Sequence, residues 1–196
     1  MRQGALQTLM ELTTAYVLGH RRLQDFAPWP EQPAYQEKPA TYIPAARIIS
    51  QWQVDGDSDE AELHEAMRSV VNDLYWKQTY TESEVGSDFL ARYGYFELLG
   101  PDGHFFSDTV RAYFGFWGSG LKYDWHQHEA EEIYCILSGS AEFHLQDDRS
   151  LFLSRRDTRY HKSDQPHAMN TSLDPVLALI LWRGQGMGGL PVMSGS

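Results

Sequence analysis

The chemistry-bearing part of the chain is residues 120–139, GLKYDWHQHEAEEIYCILSG. His126 and His128 are two apart, and in a strand that spacing puts both imidazoles on one face. Glu132 follows across a short turn. Tyr134 lies two beyond Glu132 and shares its face. A hairpin-like arrangement would bring His126, His128, Glu132 and Tyr134 to one level of a barrel interior. A further ligand must come from elsewhere, and His167, in QPHAMN at the start of a later strand, is the natural source. Two or three neutral imidazoles with one carboxylate suit zinc, iron, manganese, cobalt or nickel, with one side open to substrate. The bland alternative is a polar strand face with solvated histidines. It accounts poorly for titratable groups that alternate with apolar Ile133, Cys135 and Leu137.

Two kinds of element must position these residues. Over residues 3–23, Leu6, Leu9, Met10, Thr13, Tyr16 and Val17 recur at three- and four-residue steps and predict a helix. Residues 28–44, PWPEQPAYQEKPATYIP, hold five prolines and predict an extended loop. Its aromatics Trp29, Tyr35 and Tyr42 make it a candidate lid, or equally a strap over the core. A second helix is expected from Asp57, where Asp57 and Glu60 resemble a capping box, to about Lys77. Its apolar stripe is Leu63, Met67, Val70, Val71 and Leu74. After residue 90 the texture changes to about ten short β-prone runs, among them YGYFELLG, EEIYCILSG, AEFHLQ, HAMNT and VLALILW. PDG at 101–103 and SGS at 138–140 read as hairpin turns. Such a series predicts a β-sandwich or barrel.

Composition narrows the function. The net charge of -11 argues against a nucleic-acid partner or an anionic membrane surface. Apolar runs fall far short of the roughly 20 residues of a membrane span. The N-terminus lacks an apolar core followed by a small-residue cleavage site, so a cytoplasmic protein is expected. The lone cysteine, Cys135, excludes an internal disulfide and reads as buried packing. His20, His64 and His104 lie outside the motif and read as surface or helix residues. His144 could face either way.

The quoted stretch resembles the first cupin motif, G-x5-H-x-H-x3-E-x6-G, with Gly120, His126, His128, Glu132 and Gly139 in register. The second cupin motif is weaker. Asp157, Pro166 and His167 keep its register, but its internal proline and glycine are replaced by Lys162 or Ser163 and by Asp164. YDWHQHEAEEIY, HKSDQPHAM and LILWRGQGMGGLPVMS look further like the DddQ-type lyases of dimethylsulfoniopropionate (DMSP), bacterial cupins that release dimethyl sulfide and acrylate. The likeness is strongest over residues 115–193.

That resemblance implies a mainly β, cupin-type jelly-roll barrel over 89–196. The barrel would be a single compact unit, and the helical segment read from the pattern over 1–88, with its proline-rich loop, is expected to pack on it. The resemblance implies that His128, Glu132 and His167 hold one divalent or trivalent transition-metal ion, with Tyr134 on or near it and His126 either ligating or lining the pocket. Tyr123 and His126 would line the substrate site and Trp182 would sit near the substrate; His161 gains no ligand role. The reaction would be a β-elimination from a small zwitterionic sulfonium carboxylate, with Tyr134 or Tyr123 as base. Trp182, Trp125 and the tyrosines of 28–44 could offer aromatic faces to the sulfonium. Other metal-dependent cupin enzymes, an iron dioxygenase or an isomerase, fit the same ligands, as does a non-enzymatic binding cupin. A monomer or homodimer is expected.

Overall fold

The computed structural model describes residues 2–194. Helices come first: α1 (Arg2–Gly19), α2 (Arg21–Phe26), α3 (Pro44–Gln51), α4 (Asp59–Ser69), α5 (Glu82–Val85) and α6 (Ser87–Arg92). Strands follow: β1 (Tyr93–Leu99), β2 (Arg111–Trp117), β3 (Lys122–Gln127), β4 (Glu131–Leu145), β5 (Asp148–Ser154), β6 (Thr158–His161), β7 (His167–Arg183) and β8 (Val192–Met193). No helix among the described residues is long and apolar enough to cross a membrane.

Strand alternation decides where each side chain goes. Ile133, Cys135 and Leu137 of β4 and Leu177, Leu179 and Leu181 of β7 join one core with Leu6, Leu9, Leu63 and Met67 of the helices. The intervening Tyr134, Ile136, Ala178, Ile180 and Trp182 form a second cluster with Tyr93, Trp117 and Tyr123. Helices α1–α4 therefore cover one face of the curled sheet, while the other face encloses the site and is joined at its edge by Val85, Phe89 and Leu90 of α5 and α6. Cys135 sits on the helical side, buried, against the Tyr16 hydroxyl at 3.2 Å.

All strand pairs in the sheet are antiparallel, and β4 and β7 form its long axis. The outer half of β7 pairs with β2 and with the start of β4, and its first half pairs with β3 and the end of β4. The result is the cupin-type β-barrel, reached with fewer and longer strands than the sequence suggests. EEIYCILSG and AEFHLQ are one strand, and so are HAMNT and VLALILW. The SGS segment is therefore not a hairpin turn. Gly139 takes φ +74° inside β4, the register slips on both sides of it, and the strand bends without ending.

The helical half also departs from expectation. α1 and α2 break at His20, which has an extended backbone. The cap of α4 is Ser58, whose hydroxyl accepts the Ala61 N–H, one residue later than Asp57. α4 ends at Ser69; Val70, Val71 and Leu74 continue its buried stripe from a turn, which extends the apolar period beyond the helix. α3 has no strong sequence signal beyond Pro44 at its first turn. In the 28–44 segment, Trp29 donates to Thr14 Oγ1 at 3.0 Å and packs with Tyr35 on the helix-side core, while Tyr42 is exposed. The segment straps the helical face.

Candidate metal centre

β3 brings in His126, and His128 lies just beyond its end; Glu132 and Tyr134 open β4. The two strands do not pair as a hairpin. β3 is bonded to β7 and β8, whereas the start of β4 lies between β6 and β7. The site is thus gathered across a barrel corner. His167 opens β7 directly opposite His126. The motif glycines permit this path: Gly120 and Gly139 both have φ near +70°. Asp164, where the second motif has glycine, adopts φ +55° and donates its N–H to the His128 carbonyl at 2.8 Å, so it makes the same turn.

Donor atoms of His128, Glu132 and His167 lie within 4.8 Å of one another, and all three residues are buried. Each imidazole is fixed by its neighbours. The Nδ1–H of His128 donates to the Ala130 carbonyl at 2.9 Å and that of His167 to the Gln165 carbonyl at 2.8 Å. The Nε2 atoms are left with bare lone pairs. Both Nε2 atoms stand 3.3 Å from Glu132 Oε2, yet neither makes a hydrogen bond. Lone pairs that converge on a carboxylate oxygen in a buried site repel unless a cation or a proton lies among them. The donor set therefore fits a metal ion. Burial opposes charge on these groups, but the proximity of Glu132 raises the His128 pKa, and His128 in turn holds the Glu132 carboxyl well below its usual range.

His126 is not among these converging donors, although its ring meets that of His167 edge-on at 4.1 Å. Its Nδ1 meets the Asp124 carbonyl at 2.8 Å, its ring stacks on Tyr123 at 3.9 Å, and burial pushes its pKa well down. Trp182 stacks on His128 at 4.2 Å and donates Nε1–H to Glu132 Oε1 at 2.7 Å. His161, which the cupin register leaves without a role, reaches Glu132 Oε2 at 2.7 Å through Nδ1. Burial pushes its pKa down to about 3. Of the other histidines, His64 does lie in a helix, α4, but none of the three read as surface or helix residues is exposed. His64 and His104 are fully buried and His20 nearly so, because each finds a backbone or hydroxyl partner inside. His144 points outward to Ser150.

His128 and Glu132 of the trio open on a cavity of 330 Å³ lined also by Tyr123, His126, Tyr134 and Trp182, among others. Tyr93, Tyr95, Tyr113 and Trp117 complete its aromatic wall. These four were missed in the sequence, although their period-two spacing in β1 and β2 was a usable signal. Trp125 and the tyrosines of 28–44 are not among its lining residues. Gly188, Gly189, Leu190 and Pro191 close another side, held there by β8, which pairs with His126 and Gln127. Burial raises the Tyr123 and Tyr134 phenols well above their ordinary value. The Tyr123 hydroxyl bonds Tyr80 at 2.8 Å; among the described residues the Tyr134 hydroxyl has no such partner.

The barrel and its buried imidazole–carboxylate group make this chain a cupin, and relatives narrow the class. The family model for dimethylsulfoniopropionate lyase matches residues 20–178. Dimethylsulfoniopropionate lyase DddQ of Ruegeria pomeroyi is 34% identical over 92% of this chain and 90% of its own. The crystal structure of that R. pomeroyi DMSP lyase superposes with a TM-score of 0.92 at 33% identity, covering 97% of this chain and 96% of the other. A chain from the crystal structures of the DMSP lyases RdDddP and RnDddQII gives 0.96 at 39% identity, covering both chains fully. The chain belongs to the dimethylsulfoniopropionate lyase family and is a lyase.

Proposed function

We propose that the cavity binds dimethylsulfoniopropionate and releases dimethyl sulfide from it, leaving acrylate. His128 and His167, through Nε2, and Glu132 would hold one divalent or trivalent transition-metal ion: zinc, iron, manganese, cobalt or nickel. Bound there, the ion supplies positive charge that offsets the substrate carboxylate, stabilises charge developing beside it and favours a neighbouring phenolate. Burial alone keeps the Tyr134 phenol protonated, so its use as a base depends on such a charge.

Tyr134 takes the proton from the carbon next to the carboxylate. The C–H electron pair becomes the double bond, the C–S bond breaks, and its pair leaves on sulfur. Tyr134 is preferred over Tyr123 because the Tyr123 hydroxyl is engaged by Tyr80. Tyr123 and His126, stacked on each other, line the substrate site, and Trp182 closes the carboxylate end. The faces of Tyr93, Tyr95 and Trp117 suit a sulfonium cation, which is weakly hydrated and attracted to π electrons. Departing dimethyl sulfide is neutral, so this attraction ends with the reaction.

The supporting observation is the pair of bare Nε2 lone pairs facing one buried carboxylate oxygen beside an aromatic cavity. Family membership favours this reading over a dioxygenase, an isomerase or a binding protein on the same ligands. The test is to incubate the protein with DMSP and measure headspace dimethyl sulfide with and without a chelator. Release that is absent, or indifferent to metal removal, would sink the proposal.

A further inference from the structure

Glu132 is clamped from both sides by its cross-strand neighbours. In the β6–β4–β7 sheet, His161 and Trp182 are its direct register partners, and side chains so placed on one face meet. Trp182 donates Nε1–H to Oε1 and His161 approaches Oε2 with Nδ1, both at 2.7 Å. A ring nitrogen that close to a carboxylate oxygen carries the hydrogen. His161 is fully buried, and its Nε2 has no hydrogen-bond partner. Its atoms lie outside the group of converging donors formed by His128, Glu132 and His167. Its ring stacks on His167 at 4.0 Å with planes 22° apart. It therefore touches two of the three ligands proposed above while standing outside their cluster.

The geometry points to His161 and Trp182 as positioning residues that hold Glu132 with one oxygen presented to the metal. This rests on the metal reading above but not on the identity of the substrate. Trp182 occupies Oε1, and Oε2 is turned toward His128 and His167. Without the clamp, a carboxylate on a flexible side chain must be ordered when the ion binds, which weakens binding. Outer partners of this kind are worth about 10–100-fold in metal affinity.

The test is cobalt(II) binding to metal-free protein, read by its visible absorption bands and by competition with a chelator. H161F, which keeps a ring without the donor, should weaken cobalt binding by about 10–100-fold and alter the bands. H161N, whose amide N–H reaches toward the same oxygen, should restore most of the affinity. The unfolding temperatures of the metal-free variants report any merely structural effect. Wild-type affinity in H161F, or equal loss in H161F and H161N, overturns the clamp. If H161F does not fold, W182F supplies the test, since it frees Oε1; unchanged affinity and bands there overturn it too. Wild-type protein that takes up no cobalt overturns both this and the metal reading. Wild-type protein that binds cobalt but releases no dimethyl sulfide removes only the proposed reaction.

Discussion

Consider acidifying the protein from about pH 7.5 to about pH 5, alongside the same experiment on H104Q. His104 follows β1 with no exposed surface, and its Nε2 accepts the backbone N–H of Tyr75 at 3.1 Å. Burial, then Arg2, Lys38 and Lys77 nearby, push its pKa down to about 4. The unfolded chain takes the proton with a pKa of about 6.5. Because the folded value is depressed, the unfolded state binds more protons in this window, and stability falls as pH drops from 6.5 toward 4. At pH 7.5 both states are neutral and the site costs nothing. At pH 5 the difference is about 2 kcal/mol, and below pH 4 it levels off at about 3 kcal/mol. Glutamine can accept the Tyr75 N–H through its amide oxygen and cannot titrate. Other depressed histidines, such as His64, titrate in both proteins and cancel in the comparison. Urea unfolding at a series of pH values gives each stability. H104Q should gain about 2 kcal/mol on wild type between pH 7.5 and pH 5. Parallel pH profiles would show that His104 is not held neutral by its surroundings.

Tyr134→Phe should leave metal content nearly intact and cut dimethyl sulfide release by roughly 10²–10⁴-fold, the size of a lost acid–base group; full activity would move the role to Tyr123. Gly139→Ala should be destabilising, because φ is +74° and an added Cβ would lie 1.7 Å from the Pro175 carbonyl oxygen. A loss of at least about 2 kcal/mol, roughly 5 °C in thermal midpoint, is expected, and a loss within experimental scatter would contradict the bend described for β4. Trp29→Ala should lower stability by about 1–3 kcal/mol through lost packing and its Thr14 bond while leaving KM for DMSP unchanged. A large rise in KM would return the 28–44 segment to the role of a lid.

The legible part of this chain is the part with short-range periodicity. The H-x-H spacing, the acid four residues on and the distant His167 name a trio that the structure draws within reach of itself. Alternation correctly sends Cys135 away from Glu132 and Tyr134. What stayed hidden depends on long-range pairing. Nothing local in TRYH says that β6 will lie beside Glu132, so His161 looked idle. Nothing in SGS distinguishes a turn from a bend, because glycine at positive φ serves both. His64 and His104 are polar in sequence but buried in fact, since their partners Ser138 and Tyr75 are 74 and 29 residues away.

The stretch that closes the cavity from the C-terminal side is made of different material from the rest of the wall. Gly188 lines the space, and a Cβ added there would meet no atom within 4 Å. The opposite walls are locked rings on long strands, where any change of volume disturbs packing. Size selection can therefore be retuned on this ribbon while the ligand-bearing scaffold stays untouched, so variants with bulk at Gly188 are the natural place to look for altered substrate range at unaltered fold stability.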